Sequence, residues 1–170
     1  AYYRIPDLDK ALPLVDGLIK AEPDNPYFHE LKGQMLFENG RIAESLAPNV
    51  EASRLLPDSA LLRLGLARSQ IESGNPALLR DAIQNLLYAT QTEPYYAFHW
   101  DQLAVAYGRN DQIPLSALAQ AEAALVRGNN KDAIFHAVRA EKRLDKTSAA
   151  WLRAQDIKRA AGYKEPPAKK

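Results

Sequence analysis

A chain of 170 residues, 46% hydrophobic and 25% charged, suits one domain or one short repeat array. Its formal net charge of +1 carries no electrostatic footprint for nucleic acid, and no run approaches eighteen apolar residues, which excludes a helical membrane span. Cysteine is absent, so disulfides and thiolate metal sites are excluded, a state compatible with cytosol or periplasm alike.

The opening AYYRIPDLDK lacks an initiator Met and a signal-peptide core, so the chain reads as a trimmed piece of something longer. Asp7 to Ala21 has Leu8, Ala11, Leu12, Val15, Leu18 and Ile19 at helical spacing and ends at Glu22-Pro23-Asp24. It is expected to be the second helix of a pair, with Tyr2 and Tyr3 left from a missing first helix. The face so bared is expected to be an exposed apolar patch, a place for a dimer contact.

Asn25-Pro26 reads as N-cap and first-turn proline of a helix that runs through Phe28, Leu31, Gly33, Met35 and Phe37 to a stop at Asn39-Gly40. Its partner spans Ile42 to Leu56 and closes at Pro57, 34 residues after Pro23. Pro48 lies inside it, where a lost hydrogen bond and a ring clash cost roughly 3 kcal/mol, so a kink or a late start is expected. The next unit opens at Asp58-Ser59, breaks at Ser73-Gly74-Asn75-Pro76, and continues from Ala77 to Thr92 before Pro94. Pro57 to Pro94 is 37 residues, and the three extra are expected in the turn between Gly74 and Ala82.

Pro94 to Gly108 then carries Trp100, Leu103, Ala104 and Tyr107. On a helix these share one face, with Ala104 allowing close approach. An alanine-rich helix follows from Leu115 to Arg127, second in order but first by pattern, because Gly128-Asn129-Asn130 and Lys131-Asp132-Ala133-Ile134 after it look like the start of another second helix. Ser148 to Ala161 is expected to cap the array.

The W-x2-L-A-x2-Y spacing of Trp100, Leu103, Ala104 and Tyr107, together with the 34-residue period, resembles the tetratricopeptide repeat. The resemblance implies an all-α superhelix, an α-α solenoid of antiparallel helix pairs. A single array over 1–161 is expected: a partial repeat 1–24, repeats at about 25–57, 58–94, 95–127 and 128–146, and a capping helix 148–161. Residues 162–170 are expected to be a disordered tail.

Catalytic constellations are missing from the sequence. His29-Glu30-Leu31-Lys32-Gly33 begins like H-E-x-x-H, but Gly33 stands where a second imidazole is needed, and His99 and His136 lie on other helices. No phosphate-binding loop and no nucleophile elbow are present. No catalytic residue, metal ligand or cofactor is therefore expected. What the resemblance implies instead is a groove lined by first helices that binds a protein or peptide. Projected groove positions are Tyr27, Glu30, Gln34, Phe37 and Glu38, then Leu62, Ser69 and Gln70, then Phe98, Asp101 and Arg109. Glu30, Gln34, Asp101 and Val105 stand where carboxylate-clamp repeats carry Lys and Asn, which disfavours that subclass.

As whole phrases, Glu22 to Glu44, LLRLGLARSQIESGNPALLRDAI, WDQLAVAYGRN and SAAWLRAQDI look like the C-terminal repeat region of BepA-like bacterial periplasmic zinc metalloproteases. The resemblance implies a periplasmic location, envelope protein quality control, and zinc held only in a separate catalytic domain. The expected partners are a protein or peptide, or that catalytic domain, with no nucleic acid and no membrane insertion. The alternative is a free-standing adaptor or assembly factor with no protease.

Overall fold

The computed structural model describes residues 8–164, and within them the chain is helical, with no strand. The helices are α1 (Leu8–Ala21), α2 (Pro26–Glu38), α3 (Ile42–Leu55), α4 (Ala60–Glu72), α5 (Pro76–Thr92), α6 (Ala97–Arg109), α7 (Ile113–Val126), α8 (Asn130–Glu141) and α9 (Ala149–Ala160). Two compact units divide the chain, Ala1–Ala89 and Thr90–Lys170. The expectations for Tyr2, Tyr3, the start at Asp7 and the tail beyond Lys164 lie outside the described residues.

Two kinds of turn recur between the helices, each with its own chemistry, and residues 142–148 between α8 and α9 belong to neither. One contains proline and, before α2 and α4, ends in a side-chain cap, whereas Tyr96 before α6 makes no such bond. Asn25 accepts a hydrogen bond from the Tyr27 amide, and Ser59 one from the Leu62 amide, each satisfying an N–H that the first helical turn leaves open. The other kind is a three-residue turn with a left-handed residue. Gly40, Gly74 and Gly128 take positive φ there, and Asp111 does so at φ 59° without being glycine. Back-bonds close the turns: Arg41 N–H donates to Leu36 O, Gln112 N–H to Tyr107 O, and Asn129 N–H to Ala124 O, each 2.9 Å.

In the first unit α2 packs against α1, α3 and α4. Val15 is the buried residue of α1, while Leu14 and Leu18 on another face are exposed. Pro48 does not delay α3, which starts at Ile42 and is helical throughout; the ring is buried, and that burial offsets part of the local cost. The three extra residues of the next pair are likewise not in the turn. Ser73-Gly74-Asn75 is as short as Asn39-Gly40-Arg41, and α5 has 17 residues where α3 has 14. Asn75 caps the lengthened helix by accepting from the Ala77 amide at 3.0 Å, and Leu79 at its front is buried, so the addition is helical because it can cover the core.

In the second unit α7 takes the central place, packed against α6, α8 and α9. Ala117, Ala119, Ala121, Ala123 and Ala124 are all buried. Ala121 and Ala124 join Ala133, Ala137, Ala154, Ile157 and Ala161 in a core of small side chains that brings α7, α8 and α9 close. The position of α7 answers the ambiguity of its sequence. It is entered through the left-handed turn at Asp111, as a second helix is, and left through the left-handed turn at Gly128, as a first helix is. Its contact with α9 repeats the contact of α2 with α4.

Candidate functional site

A repeated hydrogen bond sets the register of the first helices. The His29 Nε2–H donates to the Pro23 carbonyl at 2.8 Å, Arg63 Nε–H to Pro57 O at 2.6 Å, and Trp100 Nε1–H to Pro94 O at 2.8 Å, each across six residues. Residues 29, 63 and 100 are thus equivalent, offset by 34 and 37 positions. The same offsets make Gly33, Ala67 and Ala104 the small residues of the three helices, and all three are buried.

With that register, α2 and α4 wall a hollow of about 340 Å³ in the first unit. Glu30, Gln34 and Phe37 come from α2; Leu61, Leu64, Gly65 and Arg68 come from α4. The α4 members are a shift of about one helical position away from the expected set. Leu62, Ser69 and Gln70 are buried, at 1%, 0% and 6% exposure, so they form the interior and not a groove. A rotation of 100° per residue is the physical reason: one position separates an inward residue from an outward one. Carrying Tyr27, Glu30 and Gln34 forward by 34 would have found Leu61, Leu64 and Arg68.

One lining residue, Asn49, comes from the second-helix layer and has no counterpart in the sequence reading. Its amide lies against the Gly33 backbone so closely that a Cβ there would meet Asn49 Oδ1 at 2.4 Å, and one on Gly65 would meet it at 3.3 Å. The two glycines thereby let an α3 side chain through to the floor of a hollow between α2 and α4. Asn49 Nδ2–H donates to Ser69 Oγ at 2.9 Å, and Ser45 Oγ–H donates to the same oxygen at 2.9 Å, so buried hydroxyls hold the amide in place.

The wall is part apolar, part charged. Arg68 stacks over the Phe37 ring at 4.4 Å. Glu30 has its pKa raised above the ordinary value, first by burial and then by the Glu38 carboxylate. Glu38 itself accepts from Gln34 Nε2–H at 2.8 Å. Tyr27, at 54% exposure, lies on α2 but not in the lining.

In the second unit Asp101 and Arg109 line a shallow depression with Ala104, Val105, Gly108, Ser116 and Gln120. Its floor is fixed by Ser116 Oγ–H, which donates to Ala104 O at 2.7 Å. Asp101 is tied to Arg127 by two hydrogen bonds. Phe98 is half-buried and packs edge-on to Tyr96 at 6.3 Å. His29, the start of the incomplete zinc motif, has its Nε2 committed to the turn, and among the described residues no three His, Cys, Asp or Glu gather to hold a metal.

No protein-family model matches the chain, and no curated protein matches it. Solved structures do resemble it. A crystal structure of MamA superposes with a TM-score of 0.68 at 17% identity, over 91% of this chain and 86% of that one. MamA 41-end from Desulfovibrio magneticus RS-1 gives 0.67 at 17%, over 91% and 88%. TTC0263, a thermophilic TPR protein in Thermus thermophilus, gives 0.53 at 18%, over 88% and 90%. At such identities the likeness is one of fold, and the fold is the all-α tetratricopeptide-repeat solenoid.

Proposed function

We propose that this chain is a non-catalytic protein-interaction module whose principal contact is a partner segment seated in the hollow between α2 and α4. The observation that carries this reading is the meeting of Phe37, Leu61 and Leu64 with the Asn49 amide at one floor. An apolar side chain would lie on the first three, and the amide would hydrogen-bond the partner's main chain. A photo-crosslinking residue at Gln34 should trap a partner, and Phe37→Ala with Leu61→Glu should abolish the crosslink while helicity persists. An undiminished crosslink would overturn the assignment.

Within this reading, the resemblance to BepA-like metalloproteases supports a finer proposal: the module works beside a periplasmic catalytic domain, which alone holds zinc. The alternative is a free-standing adaptor. Coding sequence upstream of Ala1 separates them, by the presence or absence of H-E-x-x-H on a helix.

A further inference from the structure

A smaller hollow of about 190 Å³ lies in the second unit. Its floor is Ile113, Pro114 and Ala117 from the start of α7, and its rim is Arg139 from the last turn of α8 with Lys142 and Arg143 just beyond. The rim side chains are exposed and the floor is apolar.

Elsewhere in this unit cations lean on carboxylates: Arg127 on Asp101, Arg153 on Glu122, Lys158 on Glu141 and Arg159 on Asp156. Among the described residues, no carboxylate lies within the 4.0 Å of an ion pair from Arg139, Lys142 or Arg143. Arg139 makes a distant approach to the Phe135 ring, 5.9 Å from its centroid. The acidic neighbours in sequence hydrogen-bond to other groups, although the Lys142 charge also acts on Glu141. Glu141 accepts from Lys158 and Gln155 at 2.6 Å each, and Asp145 accepts from the Thr147 amide and hydroxyl at 2.8 Å each.

Cations near the end of α8 offset the partial negative charge of its carbonyls. That accounts for basic residues at this end of the helix, but not for their arrangement around an apolar depression. Three like charges repel one another, and a ligand that brought carboxylates to the rim and an aliphatic group to the floor would relieve the repulsion and cover the apolar surface.

We propose that this hollow docks an acidic peptide segment, one aliphatic residue on Ile113 and Pro114 with flanking Asp or Glu carboxylates on Arg139, Lys142 and Arg143. Three cations fall short of the four to eight typical of a lipid-binding cluster, and the floor offers no aromatic face on which a base could stack. The concave apolar floor favours a side chain.

The test uses the full chain and a fluorescein-labelled peptide, Gly-Asp-Glu-Leu-Asp-Glu-Gly, capped at both ends, followed by anisotropy at low salt. Saturable binding is expected, weakened about tenfold or more when the peptide's acids become amides. The triple variant Arg139→Gln, Lys142→Gln, Arg143→Gln should show the same loss with unchanged helicity. Lys131→Gln with Lys164→Gln, which removes cations elsewhere in the unit, should leave binding intact, as should Phe37→Ala. The proposal is overturned by no saturation up to about millimolar peptide, by equal affinity for the amide peptide, or by a triple variant that binds as well as the parent. Capture on phosphatidylserine vesicles, lost in the triple variant while the peptide fails to bind, would also overturn it in favour of a lipid surface.

Discussion

His29, Arg63 and Trp100 share little beyond an N–H on a long or flat side chain, yet each closes the same proline turn through the same carbonyl. Trp100 was readable from sequence as an aromatic of the packing stripe; its donor role was not, because only the folded turn brings Pro94 O within reach. Trp100→Phe keeps an aromatic ring but removes the donor, and should cost about 1 kcal/mol in urea unfolding. Glu30 bears a different test. Its pKa is raised, so between the ordinary 4.5 and that raised value the native state binds more protons than the unfolded one. Its contribution to stability is fully present below the ordinary value and is lost as pH rises through the raised one. Glu30→Gln should therefore stabilise the chain at pH 7, with the gain vanishing at acid pH, as paired denaturant titrations would show.

At the level of elements, the turns decide much. Asp111 occupies the left-handed position that glycine holds in three other turns between helices, at a cost that a Cβ imposes. Asp111→Gly should raise stability by about 0.5 kcal/mol, measured by chemical denaturation. Gly40→Ala should lower it by about 1 kcal/mol in the same assay, since alanine would be strained at φ 75°. The alanine core shared by α7, α8 and α9 leaves no room for bulk, so Ala121→Leu should lose about 1–3 kcal/mol and reduce the thermal midpoint. Helix starts were legible because Asn25, Ser59 and Ser148 are caps with a mechanism. The undelayed start of α3 ahead of Pro48 and the extra length of α5 were not, because tertiary burial decided both against local preference.

Across the whole molecule, the two hollows differ in chemical character, one walled by Phe37, Leu61 and Leu64, the other rimmed by Arg139, Lys142 and Arg143. Raising salt from about 50 to about 500 mM should weaken the acidic peptide severalfold while leaving capture at the first hollow nearly unchanged, in parallel titrations on one preparation. Fold class and repeat period could be read directly, since prolines 34 and 37 residues apart mark them. Of the projected positions, Glu30, Gln34 and Phe37 on α2 line the hollow, while on α4 the lining lies about one position from the projected Leu62, Ser69 and Gln70, which are buried. Asn49 could not be placed at all, because its access depends on two glycines from other helices meeting around it in space.

The double role of α7 has a practical consequence for anyone rebuilding this scaffold. Counting helices in pairs from the N-terminus makes α7 a second helix, the partner of α6. Its contact with α9 makes α7 also a first helix to α8, so the pairing restarts at α7. A recognition pattern carried by α2 and α4 would therefore be copied onto α7 and α9, which touch each other as α2 and α4 do.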